Sequence, residues 1–260
     1  MNKGFTVQNL TYSYAETQVI RGIDLTLRPG RFYGILGPNG CGKTTLLDLL
    51  AGFKKAEHGR VILENTEITK IPKKTLATKV ALVPQEFELT LGFSVEEIVM
   101  MGRHPHIPRF SAPTKIDYDA VAWAIEKVQL TSMAKKRAAD LSGGQKQRTI
   151  VARALAQQTQ ILLFDEATAN LDVQYSLQIF RLVKTLIQEK GHTVIAVLHN
   201  LNLAAAYCDD ILFMKDGKKH CFGPTAKVMT ADTIYDVFGV DAKVGADLYG
   251  QKQQVSLRYL

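Results

Sequence analysis

Between Gly37 and Thr44 the chain reads Gly-Pro-Asn-Gly-Cys-Gly-Lys-Thr, a G-x-x-x-x-G-K-[ST] loop, and no other segment restricts the fold as tightly. Such a loop works only where backbone N–H groups can wrap a β-phosphate, so Gly37, Gly40 and Gly42 stand where side chains would block the approach. It must also leave a buried strand and enter a helix, whose positive end then faces the anion. The flanks agree: Phe32-Tyr33-Gly34-Ile35-Leu36 reads as a buried strand and Lys43 to Ala51 as a helix. Lys43 is placed to reach the β- and γ-phosphates, and the Thr44 hydroxyl to ligate Mg²⁺. Further short apolar strands are expected at Val80–Val83, Ile161–Phe164 and Thr193–Leu198, separated by amphipathic helical stretches. That alternation predicts an α/β fold with a parallel sheet.

Composition excludes several other classes. With 46% hydrophobic and 22% charged residues in 260, the chain is neither disordered, collagen-like nor coiled coil. No apolar run exceeds six residues, as in Ala120 to Ile125, whereas a membrane-spanning helix needs about 20. Residues Met1 to Gln8 lack an apolar h-region, so no secretory signal is expected. Three cysteines, Cys41, Cys208 and Cys221, have no metal-ligand spacing and fit a reduced, cytosolic compartment. The 32 Lys+Arg against 25 Asp+Glu leave a charge of +7 without a dense basic block, so no nucleic-acid partner is expected.

Elsewhere, Val7–Tyr14 and Ile23–Leu27 alternate apolar and polar residues, the pattern of antiparallel strands with one buried face, in a region closed by Arg28-Pro29-Gly30. Strand signals vanish between Phe87 and Gln157, and Ser94-Val95-Glu96-Glu97 offers a capping box. Residues from about 87 to 157 therefore read as a helical insertion within one domain covering 1–260. Asp216-Gly217 reads as a hairpin turn, and the tail after about Val240 as a short extension of strands or turns.

Two more segments carry chemistry. Ile161-Leu162-Leu163-Phe164-Asp165-Glu166 delivers two carboxylates at the end of an apolar strand, at the sheet edge where ligands bind. Asp165 is placed to hold Mg²⁺ and Glu166 to polarise an attacking water as general base. Leu141-Ser142-Gly143-Gly144-Gln145 runs into the helix Lys146–Gln157, a second glycine turn at a helix start and so a second anion site.

In these segments the chain resembles the ABC ATPase family, because Leu141 to Gln145 reproduces its LSGGQ signature, with Lys146-Gln147-Arg148 following, 23 residues before Asp165. The resemblance covers essentially the whole chain. It implies a P-loop ABC ATPase fold with a mixed-sheet core, an antiparallel β subdomain and a helical insertion in a RecA-like core, using ATP and Mg²⁺. It implies that Tyr14 stacks on adenine and that Gly37, Pro38, Asn39, Gly40, Cys41, Gly42, Lys43, Thr44 and Thr45 bind ATP. Gln85 then touches Mg²⁺ and the attacking water, and His199 contacts the γ-phosphate. Leu141, Ser142, Gly143, Gly144 and Gln145 act in trans on the nucleotide of a second subunit, and the loop Ala169-Asn170-Leu171-Asp172 crosses the dimer interface. Ala167 departs from the family's usual proline, Asn200 from a frequent aspartate and Cys41 from a frequent serine.

Three further segments resemble the subgroup serving iron-siderophore, haem and cobalamin importers: Met101-Gly102-Arg103-His104-Pro105-His106, His199-Asn200-Leu201-Asn202-Leu203-Ala204 and Tyr235-Asp236-Val237-Phe238-Gly239-Val240. Zinc and manganese importers share parts of them. The implied assembly is a homodimer beneath two transmembrane permease subunits, at the cytoplasmic face of the membrane, with an external substrate-binding protein. A soluble ATPase acting on nucleic acid lacks support from any coiled-coil or zinc insertion, and a non-hydrolysing module is disfavoured by Lys43, Asp165, Glu166 and His199. Two local expectations complete the reading. Phe87, Met100 or Met101, and Arg103 form a dock for a permease helix, and Cys41, beside the backbone N–H groups of a helix start, has a lowered pKa.

Overall fold

A computed structural model describes residues 4–85, 92–167, 172–248 and 252–258. The chain divides into two compact units, one built from residues 1–71 and 193–260 and the other from 72–192.

The first unit opens with β1 (Phe5–Tyr14) and β2 (Thr17–Leu27), paired antiparallel with several register shifts. Their inward residues, among them Phe5, Leu10, Ile20 and Ile23, are fully buried, as period-two patterning requires. The chain reverses at Ala15-Glu16, with Ala15 in the left-handed region at φ 49°, and Arg28-Pro29-Gly30 follows the end of β2. Every residue of β3 (Phe32–Leu36) is buried; it leads through the glycine loop into α1 (Lys43–Leu50). β4 (His58–Leu63) and β5 (Thr66–Glu67) then complete an antiparallel sheet ordered β2-β1-β4-β5.

The second unit begins with α2 (Lys73–Ala77) and β6 (Val80–Val83). Then come α3 (Val95–Met100), α4 (Lys115–Lys127) and α5 (Gly143–Ala156), which pack on one another. Ser94 caps α3 through the expected capping box, its Oγ accepting from Glu97 N. β7 (Ile161–Asp165) pairs parallel with β6 from Val80↔Ile161 to Val83↔Phe164, and α6 (Val173–Lys190) ends at Gly191 in the left-handed conformation.

The chain re-enters the first unit with β8 (Thr193–Val197), which lies parallel to β3, as β9 (Asp210–Lys215) does on the other side. Between them sits α7 (Leu201–Tyr207). β10 (Lys218–Pro224) pairs antiparallel with β9 across Asp216-Gly217, both at positive φ as a tight hairpin turn demands. After α8 (Thr225–Val228) and α9 (Ala231–Phe238), the tail forms a hairpin of β11 (Ala242–Ala246) and β12 (Gln253–Leu257). No helix among the described residues is long and apolar enough to cross a membrane.

Candidate nucleotide site

β3 ends at Leu36, so the loop from Gly37 emerges at the C-terminal edge of parallel strands, where α/β folds bind ligands. Gly37 and Gly42 are required by this chain's own atoms, whereas a Cβ on Gly40, at φ 79°, would meet nothing within 4 Å. A Cβ on Gly37 would run into the Met214 carbonyl oxygen and stand 2.8 Å from Cys41 Sγ. At Gly42, with φ 97°, a Cβ would lie 2.8 Å from Ile20 Cδ1. Gly42 is also the N-cap of α1, and no side chain caps that helix start, the end of a helix that attracts an anion.

Lys43 is buried, and its ammonium donates to Gly37 O and Pro38 O at 2.9 Å each. An ammonium has three N–H bonds, so after these two anchors one is left to point at a phosphate oxygen. Asn39, Gly40 and Thr44 are exposed at the loop's mouth, whereas Thr45 is buried on α1. Tyr14, at the end of β1, is 45% exposed and packs edge-on against Tyr12, with ring centroids 5.1 Å apart; Lys54 Nζ sits 5.1 Å from the Tyr14 centroid and pairs with Asp48 at 3.3 Å. The lysine over this ring was not legible in the sequence, since 40 residues separate the two. His199 follows β8 and is exposed.

In the second unit, Asp165 is buried at the end of β7 and Glu166 follows it. Glu166 has φ 49°, a left-handed backbone that a long side chain rarely adopts. Gln85, just past β6, donates from Nε2 to Glu166 Oε2 at 2.8 Å, so two residues 81 positions apart meet. Hydroxyl, carboxylate and amide oxygens are the hard donors that Mg²⁺ takes, usually a few from protein with phosphate and water completing the shell. No cluster of three or more His, Cys, Asp or Glu exists among the described residues.

The second glycine turn is built differently. Ser142 caps α5, its Oγ accepting from Gln145 N at 3.3 Å while Gln145 Oε1 accepts from Ser142 N at 3.0 Å. Leu141 is buried and anchors the turn, whereas Ser142 and Gly143 are exposed. A Cβ on Gly143 would meet nothing within 4 Å. Arg148, one turn further, donates to Val128 O and Gln129 O and lies 3.7 Å above the Tyr175 ring. This stack links α5 to the first turn of α6, which Asp172 caps by accepting from Tyr175 N at 2.9 Å. Ala169, Asn170 and Leu171 lie outside the described residues, as does Phe87.

The ABC transporter family profile matches residues 20–169, more than half of the chain. The chain belongs to that family. It is 35% identical to the probable siderophore transport system ATP-binding protein YusV of Bacillus subtilis, covering 94% of this chain and 90% of the relative. To the ferric enterobactin transport ATP-binding protein FepC of Escherichia coli it is 36% identical, covering 90% and 86%. The cobalamin import ATP-binding protein BtuD of Halobacterium salinarum is 35% identical over 93% of this chain, which spans only 60% of that relative's length. Among solved structures, a metal-chelate type ABC transporter in an inward-facing conformation superposes with a TM-score of 0.86 at 30% identity, covering 100% of this chain and 98% of that one. A bacterial ABC transporter cassette solved as a dimer, MJ0796, gives 0.78 at 27% identity, covering 85% and 98%.

Within this ABC cassette, two expectations need correction. Arg103 is no docking residue: it is 3% exposed, its Nε pairs with Asp117 at 3.0 Å, and its Nη1 donates to Ala156 O and Gln158 Oε1. Beside it, a Cβ on Gly102 would run into the Arg153 carbonyl oxygen, and His106 Nε2 meets Gln157 O at 2.8 Å. The Met101-to-His106 motif thus sews this segment to the end of α5, with Gly102 and Arg103 buried while Met101, 44% exposed, faces solvent as His104 and His106 do. Backbone N–H of Thr114, with the Arg103 guanidinium, holds the Asp117 carboxyl below the usual range. Cys41 is the second case. Burial pushes its thiol up, and this outweighs the lowering by the charge of Lys43 and by the backbone N–H groups of Lys43 and Cys41.

The departures at 167 and 200 have local accounts. Ala167 is buried directly after the left-handed Glu166. Asn200 caps α7, its Oδ1 accepting from Leu203 N at 3.0 Å, a task asparagine performs as well as aspartate.

Proposed function

We propose that the chain is the ATP-binding and ATP-hydrolysing subunit of an importer for a metal chelate of the iron-siderophore, haem or cobalamin class. It works as a homodimer with two membrane-embedded permease subunits at the cytoplasmic face of the membrane, in a system served by an external substrate-binding protein. The names borne by its relatives support this class of cargo. The observation that carries hydrolysis, as opposed to binding alone, is the bond from Gln85 Nε2 to Glu166 Oε2 at 2.8 Å.

On this reading the loop N–H groups and Lys43 bind the phosphates, and Tyr14 stacks on the adenine. Thr44, Asp165 and Gln85 hold Mg²⁺, which when bound neutralises charge on the phosphate oxygens. Glu166, fixed by its backbone and by Gln85, accepts the proton of the attacking water. His199 contacts the γ-phosphate. Ser142, Gly143 and Gly144 present hydroxyl and backbone N–H groups to the γ-phosphate of a partner's nucleotide, and Asp172 lies at the dimer loop.

The test compares phosphate release by the native chain and by Glu166→Gln at saturating Mg-ATP. Loss of a general base lowers turnover by about 10² to 10⁴-fold; near-normal turnover removes Glu166 from that role. Uptake of candidate chelates by the chain copurified with its membrane partners then assigns the cargo.

A further inference from the structure

The segment His199-Asn200-Leu201-Asn202-Leu203-Ala204 contains two asparagines with different tasks. Asn200 caps α7, whereas Asn202 reaches out of the helix. Its Nδ2 donates to Val255 O at 3.1 Å, and Val255 N donates to its Oδ1 at 2.7 Å. A side-chain amide bonded this way offers the donor and acceptor of a strand residue. β12 is an edge strand, paired on one side with β11 over five positions from Ala242↔Leu257 to Ala246↔Gln253. On its other side Asn202 supplies what a neighbouring strand would, at the one residue of β12 that is buried.

The hairpin is therefore seated and not a loose tail. α7 packs against β12 and against β3, with Ala204 and Ala205 buried. Gln253 Nε2 adds contacts to Ala226 O and Met229 O near the end of α8. α7 has only seven residues, far short of the roughly 12–15 a helix needs to persist unaided, so it depends on such support. The clamp falls in its first turn, three residues after His199.

We infer that Asn202 is a positioning residue: by clamping Val255 it turns the C-terminal hairpin into a brace for the start of α7, and so for the direction of His199. This rests on the γ-phosphate role of His199 proposed above. It gives the tail after residue 241 a task in hydrolysis, and it gives the second asparagine of the motif a reason to be there.

The experiment measures kcat and KM for ATP in the full chain, with kcat counted per bound nucleotide so that misfolded protein drops out. Hydrogen exchange is followed at the same time in the peptide that holds Val255. Asn202→Ala is expected to lower kcat about threefold to tenfold, less than the ~10² that a 1 Å misplacement can cost, to leave KM within about twofold, and to speed exchange at Val255. Asn202→Asp should behave alike, because it keeps the acceptor for Val255 N–H but turns a carboxylate towards the Val255 carbonyl. A chain ending at Asp241 keeps Asn202 yet should lose the same kcat, and it decides the matter if Asn202→Ala does not fold. His199→Ala is the control. If it turns over normally, the role of His199 falls and the brace falls with it. If it is inactive while Asn202→Ala and the shortened chain keep native kcat despite rapid exchange, the brace alone is overturned.

Discussion

The loop from Gly37 to Lys43 and the turn from Ser142 to Gly144 are both glycine-rich and both open a helix, yet their glycines answer to different neighbours. At Gly37 the space for a side chain is filled by the Met214 carbonyl and the Cys41 thiol, and the loop is tied down by two bonds from a buried Lys43. At Gly143 the same space is empty, and the turn is held by the reciprocal bonds of Ser142 and Gln145 and by the buried Leu141 before them. The first loop is shaped from within. At the second, no neighbour within the chain fills the space of a side chain, and the function proposed above gives that bare backbone to the γ-phosphate of a partner's nucleotide.

Gly143→Val tests the contrast most severely. It should lower hydrolysis by about 10² to 10³-fold, the scale for losing a preorganised oxyanion donor, with the melting temperature unchanged. Thermal unfolding measured beside phosphate release checks both halves, and a folded variant with native turnover would break the comparison. Lys43→Ala should instead act on binding: losing a hydrogen bond from a charged group costs about 1.5–3 kcal/mol, or about 10 to 100-fold in ATP affinity by titration. Gly37→Ala and Gly143→Ala sharpen the comparison at equal chemistry. Overpacking at Gly37 should destabilise the chain by about 1–3 kcal/mol in denaturant unfolding, whereas the exposed Gly143 should stay within about 0.5 kcal/mol. The smallest effect concerns Cys41, whose raised thiol pKa and burial should make alkylation slower than that of a free cysteine; labelling as fast as an unfolded control would contradict the packing beneath Gly37.

What could be read from the sequence follows the same division. β3 and β6 were expected at their observed bounds because short apolar runs between turn residues are self-evident, and Asp216-Gly217 announced its own turn. The reversal at Ala15-Glu16 was invisible, since neither residue signals positive φ, and the hairpin of β4 and β5 turns on Glu64-Asn65 with equally little warning. At the site, residue types and spacing nominate Lys43 and Glu166, and the family resemblance adds Gln85, but neither foretells the bond between Gln85 and Glu166, nor the left-handed Glu166. Arg103 misled for a physical reason: a charged residue in a Pro- and His-rich stretch suggests an exposed loop, and only the fold reveals Asp117 and the Ala156 carbonyl as its partners. Asn202 lies in a segment that already stood out, but its partner is 53 residues away.

The claim that the bare turn at Gly143 serves a second copy is tested most directly by the mass of Glu166→Gln in saturating Mg-ATP. With hydrolysis stopped and binding intact, light scattering should give twice the 28.8 kDa of the chain, with one nucleotide per chain, reverting towards the monomer when Gly143→Val is added. A 28.8 kDa species fully loaded with ATP, indifferent to Gly143→Val, would contradict it.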